Sequence, residues 1–250
     1  MVLQENPEND NITEPLIDPN NSLPQHSATS SYTEPTRSIP TPIGSTTFNM
    51  SFVFSLLVSV GALLFASTVW YITSTADYIF FIWHPTLMSL MLLMATNGIL
   101  VLQKAESRQE KVASLNFHKA MQSIAFLSII GGFYVITTFK NMGNKEHFAS
   151  PHGKLGVITF SLILIQSIAG STLVNFPGVV GGVAKAKAMY KYHRFSGYLV
   201  LALIWFTALG GTQNPWVKAQ FDHLWVWLLA AGMVFVGTVG RVKSSKLKVW

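Results

Sequence analysis

Residues 52–73 read FVFSLLVSVGALLFASTVWYIT, and this run indicates the fold class. It has no charged residue and is about as long as the ~20-residue helix that spans a bilayer core. Comparable apolar runs follow at about 79–102, 117–138, 152–173, 193–212 and 221–240. One such run could be a buried helix, but six in succession predict an all-α membrane protein with six transmembrane helices.

The overall composition agrees with a membrane protein. Of 250 residues, 50% are apolar and only 11% are charged, whereas soluble chains carry about 25% charged residues. Cysteine is absent, which excludes disulfides, iron–sulfur clusters and thiolate chemistry. The net charge of +6 is interpreted as basic loops at an anionic membrane face, and no nucleic-acid partner is expected.

Three segments differ in composition. Residues 1–48 hold seven of the eleven prolines and six of the eleven acidic residues. With few large apolar side chains they cannot offset their ordering entropy, so a disordered cytoplasmic tail is predicted. Residues 49–245 form the predicted six-helix membrane domain, and 246–250 form a short basic tail.

Basic residues are distributed unevenly between the two faces of the predicted bundle. One face, which also holds both termini, collects thirteen Lys and Arg residues, against four on the other. The thirteen are Arg37, Lys104, Arg108, Lys111, Lys119, Lys185, Lys187, Lys191, Arg194, Arg241, Lys243, Lys246 and Lys248. Because cytoplasmic loops are enriched in Lys and Arg, both termini are expected to be cytoplasmic.

Histidines lie near the starts of four successive spans. They are His84, His118, His152 and His193. Ionisable residues within a membrane are costly, so four at similar depth indicate a function. Since successive spans alternate in direction, His84 and His152 are predicted to share the outer half of the bilayer. His118 and His193 are predicted to share the inner half.

Two histidine pairs in an apolar bundle fit haem better than zinc. Zinc usually takes four protein ligands, and the spans offer no cysteine or intramembrane carboxylate to complete a set. Haem iron needs only two axial ligands from the protein. Gly156 and Gly197 each follow a histidine by four residues and could clear space for the macrocycle, although glycines also allow close helix packing.

Several motifs around these histidines resemble the cytochrome b561 family over about 52–245, and most closely its domain-containing-protein branch. The matching stretches are HPTLMS at 84–89, FHKAMQ at 117–122, HFASPHGKLG at 147–156 and YHRFSGY at 192–198. The resemblance implies two b haems in a four-helix core of spans 2–5. It implies His84 and His152 as outer ligands, and His118 and His193 as inner ligands.

The resemblance also implies an activity and further site residues. The family typically passes electrons across the membrane from cytosolic ascorbate to monodehydroascorbate or ferric iron. Lys104 and Lys243, with Arg241 as an alternative to the latter, match bases at the haem periphery. The candidates for substrate binding are Lys111, Lys187, Lys191, Arg194 and His147. A homodimer in the lipid bilayer is a further expectation.

Two other functions compete with electron transfer at this point. The histidines could relay protons or bind a metal ion in transit, which makes the chain a transporter without haem. Alternatively, the bundle could be a purely structural subunit of a larger assembly. Electron transfer requires haem bound in a fixed ratio to the chain, and this requirement distinguishes it from the other two functions.

Overall fold

The structure is a computed structural model that describes residues 50–102, 105 and 107–241. Its helices, in chain order, are α1 (Met50–Thr75), α2 (Trp83–Val101), α3 (Arg108–Met142), α4 (Pro151–Asn175), α5 (Val183–Thr212), the short α6 (Pro215–Gln220) and α7 (Leu224–Arg241). Single 3-10 turns precede α2 and α5, at Phe80–Ile82 and Pro177–Val180. The predicted tails at 1–48 and 246–250 lie outside the described residues.

Six of these helices are long and apolar enough to cross a membrane. Large apolar side chains such as Leu127, Ile165 and Phe206 face outward from the bundle, where lipid would cover them. The described residues contain no strand. The prediction of an all-α protein with six spans is therefore confirmed.

The predicted starts of the third and fifth spans are wrong by about ten residues. Helix α3 begins at Arg108 and α5 begins at Val183, whereas the apolar runs of these two spans begin at about 117 and 193. The apolar runs mark the membrane-crossing part of each helix, and both helices continue beyond it in polar sequence. Lys187 and Lys191 consequently lie within α5 and do not precede it.

Local sequence explains both early starts. Ser107 and Glu110 form a capping box, in which the Ser107 hydroxyl accepts from the Glu110 amide and the Glu110 carboxylate accepts from the Ser107 amide. Gly181 and Gly182 have φ values of +88° and +101°, and this left-handed turn leads directly into α5.

The most extensive helix packing joins α2 with α3 and α1 with α7, and α1 with α2 and α4 with α5 come next. An aromatic cluster joins these pairs in the core. Phe65 lies 5.4 Å from Trp205 and 5.0 Å from Trp227 between ring centroids, in edge-to-face contacts. The Trp205 indole N–H donates to the Thr96 hydroxyl at 3.2 Å, so α1, α2, α5 and α7 share one core.

Glycines bring α1 and α7 together. A Cβ atom at Gly237 would lie 2.6 Å from the Phe54 carbonyl oxygen, and one at Gly61 would lie 2.6 Å from the Ala230 carbonyl oxygen. Such small residues allow close backbone approach between membrane helices. At the end of α7, the buried Arg241 guanidinium donates to the Ser51 carbonyl and the Ser55 hydroxyl. The α1–α7 pair packs against the histidine-bearing helices through α1 on α2 and α7 on α5.

Candidate functional site

The first histidine pair lies at the end of the bundle where α2 and α4 begin, here called the His84 face. His84 and His152 are each the second residue of their helix. Because α2 and α4 run in the same direction, the two side chains lie at the same end. Their ring centroids are 6.4 Å apart and their planes are inclined at 79°.

Backbone carbonyls hold both rings. His84 Nδ1 donates to the Gly132 carbonyl of α3 at 2.9 Å, and His152 Nδ1 donates to the Thr207 carbonyl of α5 at 3.0 Å. A carbonyl oxygen only accepts, so Nδ1 carries the proton in each ring. The lone pair of each neutral imidazole is therefore on Nε2, the arrangement typical of metal-ligating histidines.

The second pair, His118 of α3 and His193 of α5, lies at the opposite end, here called the His118 face. Each follows the start of its helix by ten residues. His118 Nδ1 donates to the Gly98 carbonyl of α2 at 2.9 Å. His193 Nδ1 is buried and has no hydrogen-bond partner.

Helices α2 and α3 exchange these hydrogen bonds at a regular spacing. Gly98 lies fourteen residues after His84 in α2, and Gly132 lies fourteen residues after His118 in α3. Each helix therefore carries a histidine near one face. Four turns later it carries the carbonyl that accepts a hydrogen bond from Nδ1 of the histidine on the neighbouring helix. In the pair α4–α5, Thr207 likewise follows His193 by fourteen residues.

A cavity of about 390 Å³ opens beside the first pair. Both imidazoles line it, together with Gly156 and the mainly apolar side chains of the surrounding helices. A Cβ at Gly156 would meet no atom within 4 Å, so the wall is open there. Phe133 and Phe160, which stack at 4.2 Å between centroids, form another part of the wall.

The first pair fits a shared haem iron. Two metal–nitrogen bonds of about 2 Å each, plus the distance from each nitrogen to its ring centre, give a separation of roughly 6 Å between ring centroids. The observed separation is 6.4 Å. With Nε2 unprotonated on both rings and an apolar cavity alongside, the residues present suit a porphyrin with two axial imidazoles.

Comparison with known proteins places the chain in a family. The family model for eukaryotic cytochrome b561 matches residues 83–219, which is more than half of the chain. The chain belongs to the cytochrome b561 family. The matched region contains α2 to α5, and so all four histidines of the two pairs.

A curated relative supports the same assignment. The transmembrane reductase CYB561D2 of Bos taurus is 28% identical over 154 residues, which cover 60% of this chain and 68% of that protein. Together with the six apolar helices, family membership makes this chain an integral multi-pass oxidoreductase that transfers electrons across a membrane and binds haem b.

The cytochrome b561 chain places its other candidate residues at both faces. His147 is exposed near the His84 face, and its Nε2 forms a hydrogen bond with the Asn141 Oδ1 atom at 2.7 Å. His147 and Lys140 also line the cavity. Lys111 and Lys187 are exposed near the starts of α3 and α5.

The remaining basic candidates divide into described and undescribed residues. Lys191 Nζ lies 5.0 Å from the centroid of the Tyr192 ring, and Arg194 is half-buried directly after His193. Lys104 and Lys243 lie outside the described residues.

The two glycines singled out from the sequence differ in role. Gly156 borders the cavity, as space for a macrocycle requires. A Cβ at Gly197 would instead lie 3.0 Å from the Gln166 amide nitrogen, so Gly197 serves helix packing.

Sequence reasoning missed the residues that hold the histidine rings. A Cβ at Gly170 would lie 2.7 Å from His193 Cε1, and one at Gly211 would lie 3.1 Å from His152 Cε1. The carbonyl acceptors at Gly98, Gly132 and Thr207 were also missed, because any residue type provides a carbonyl. The fourteen-residue spacing was the only available signal.

Proposed function

We propose that the chain binds two b haems, one between His84 and His152 and one between His118 and His193. On this proposal it carries electrons from cytosolic ascorbate to monodehydroascorbate or a ferric chelate on the other side. The observation that carries it is the facing His84–His152 pair, 6.4 Å apart, with each Nδ1 bonded to a carbonyl.

Two histidine ligands for each haem would favour electron transfer over oxygen chemistry. Haem b would supply reversible one-electron storage, and it would be held by His84 and His152 at one site and by His118 and His193 at the other. The chain's own residues hold the ligands in place and line the cavity with mainly apolar groups. The family and the reductase relative favour this function over proton or metal-ion transport.

Two haem sites, rather than one, are supported by the distance between the histidine pairs. Gly132, which holds His84, lies fourteen residues beyond His118 along α3. At a rise of 1.5 Å per residue this separation is about 21 Å. A hydrocarbon core is about 30 Å thick, so each pair lies beneath a different membrane surface.

The distribution of basic residues supports the orientation. Among the described residues, eight Lys and Arg residues lie toward the His118 face, against four toward the His84 face. The positive-inside rule makes the His118 face cytosolic. The haem of His118 and His193 is then the inner haem, and that of His84 and His152 the outer haem.

Basic side chains at the cytosolic face support an anionic donor. Lys187 and Lys191 lie six and two residues before His193 on α5, and Lys111 lies seven residues before His118 on α3. Ascorbate is a monoanion at neutral pH, and a cationic surface beside an apolar bundle raises its local concentration. Arg194, next to His193, adds to the same charge.

The acceptor side is proposed to include His147. It lines the cavity beside the outer pair and is exposed, so a molecule at the surface could contact it. Lys140, whose ammonium donates to the Glu146 carbonyl at 2.7 Å, lines the same cavity and gives this opening a positive charge. Both features suit an anionic acceptor such as monodehydroascorbate or a ferric chelate.

The deciding experiment is haem quantification on the purified full chain. We expect two b haems per chain, a low-spin six-coordinate absorption spectrum, and reduction by ascorbate. One haem per chain would contradict the two-site proposal, and a colourless protein would contradict the function altogether. Ascorbate failing to reduce a chain that holds two haems would exclude ascorbate as donor.

A further inference from the structure

His193 is held differently from its three counterparts. Of the four histidines, all within the described residues, it is the one whose Nδ1 has no hydrogen-bond partner. In a neutral imidazole, the hydrogen bond at Nδ1 sets both tautomer and ring orientation. Something other than a hydrogen bond must therefore orient the His193 ring.

Gly170 of α4 packs directly against that ring. A Cβ atom at this position would lie 2.7 Å from His193 Cε1, 3.1 Å from Nε2 and 3.6 Å from Nδ1. The first distance is well below van der Waals contact, so no side chain fits at position 170 while the ring keeps its place. The contact involves the side of the ring that carries Nε2, the proposed iron ligand.

The backbone around His193 cannot easily move away from α4. One turn before Gly170, the Gln166 amide donates to the His193 carbonyl at 2.6 Å. The Gln166 side-chain oxygen in turn accepts from the Ser196 hydroxyl at 2.9 Å. These bonds join α4 and α5 at the level of His193, so a larger residue at 170 would displace the ring and not the helix.

We propose that Gly170 is a positioning residue for the inner haem, orienting His193 by shape where the other histidines use a hydrogen bond. This inference rests on the proposed ligation by His193. It also predicts that a methyl group added at the glycine beside the ligand disturbs the inner haem more than the outer haem. His152 has both the Thr207 hydrogen bond and a looser contact at Gly211, where a Cβ would lie 3.1 Å from the ring.

The test is the Gly170→Ala variant of the full haem-loaded chain, followed by absorption and electron paramagnetic resonance. We expect the inner haem either to be lost or to become five-coordinate, so that its low-spin signal disappears. The outer haem should keep its low-spin signal. The surviving outer haem reports on folding within the same molecule. Gly232→Ala is the matched control, because a Cβ at Gly232 meets no atom within 4 Å.

His193→Ala separates this inference from the proposed function. If His193→Ala keeps two low-spin haems, the ligation is wrong. If His193→Ala loses the inner haem but Gly170→Ala keeps both signals unchanged, the role of Gly170 is wrong.

A second comparison applies if Gly170→Ala does not accumulate. In His193→Gly the ring is gone, so an added Cβ at position 170 no longer clashes with it. Imidazole from solution should restore the six-coordinate inner haem in His193→Gly. In His193→Gly with Gly170→Ala it should bind about tenfold more weakly, the effect of one methyl group in a filled site. Equal imidazole affinity would overturn the proposal.

Discussion

At the scale of the residue, the site depends on which nitrogen of each imidazole carries the proton. The carbonyls of Gly132, Thr207 and Gly98 accept from Nδ1 of His84, His152 and His118. Because these acceptors belong to neighbouring helices, the ring orientation is fixed only when the bundle is assembled. Each single histidine substitution should therefore reduce haem binding at its own site and leave the other site occupied.

Replacing one histidine should remove one haem. We expect His118→Ala to lose the inner haem and largely keep the outer one, and His84→Ala to do the reverse. Loss of imidazole leaves the iron with one protein ligand. Haem content and spin state, measured by absorption, check this. Two six-coordinate haems in both variants would show that other residues ligate the iron.

At the scale of the element, the early starts of α3 and α5 place basic side chains on the helices that carry His118 and His193. Lys187 and Lys191 share α5 with His193, so a rigid helix sets their distance from it. A flexible loop, as expected from the apolar pattern, would have left that distance free. Their charge therefore acts at a defined position relative to the inner pair.

Neutralising this charge should slow electron entry. Lys187→Gln with Lys191→Gln should reduce the rate of ascorbate-driven haem reduction several-fold and flatten its dependence on salt, since the attraction is screened by ions. Stopped-flow absorption measures both effects. Haem content and reduction by dithionite should be unchanged.

A matched control is available at the opposite face. Lys145→Gln with Lys154→Gln removes two exposed charges there and should leave the ascorbate rate as it was. If the Lys187 and Lys191 variant reduces as fast as the parent with both haems intact, the donor binds elsewhere.

The α1–α7 pair offers a stability test on elements that carry no site histidine. Gly237→Ala adds a Cβ 2.6 Å from the Phe54 carbonyl oxygen, and we expect overpacking to destabilise the fold by about 1–3 kcal/mol. Thermal unfolding in detergent measures it. Gly232→Ala, which meets open space, should be neutral or stabilising, because alanine favours helices. Equal melting temperatures for the two variants would show that this packing contributes little.

At the scale of the whole molecule, the two histidine pairs lie about 21 Å apart along the helices. An electron that moves between them crosses much of the membrane. With an inside-negative potential of 100 mV, outward movement across the full membrane gains about 2.3 kcal/mol per charge. The direction of useful transfer therefore depends on which face is cytosolic.

Glycosylation tests this orientation. Three acceptor sequences begin at Asn11, Asn20 and Asn49, and the segments assigned to the outer face contain none. If the N-terminus is cytoplasmic, none of the three can be modified. Treatment of the native protein with an endoglycosidase should leave its mass unchanged. A mass shift would invert the assignment of donor and acceptor faces.

The sequence by itself determined the features that depend on composition and spacing along one helix. Six apolar runs are enough to predict six spans, because each has the length that a bilayer requires. The motifs around His84, His118, His152 and His193 are enough to predict the family, which the comparison confirms. The apolar composition of the spans predicted membrane helices. It did not predict how far those helices extend into the polar sequence beyond the membrane.

Only the tertiary structure decided how the rings are held. Every residue has a carbonyl, so no residue type marks Gly132 or Thr207 as an acceptor until two helices are packed in register. The same holds for Gly170, whose absent side chain matters because His193 of the neighbouring helix occupies that space. Such contacts join residues far apart in the chain, and their positions follow from helix packing and not from local sequence.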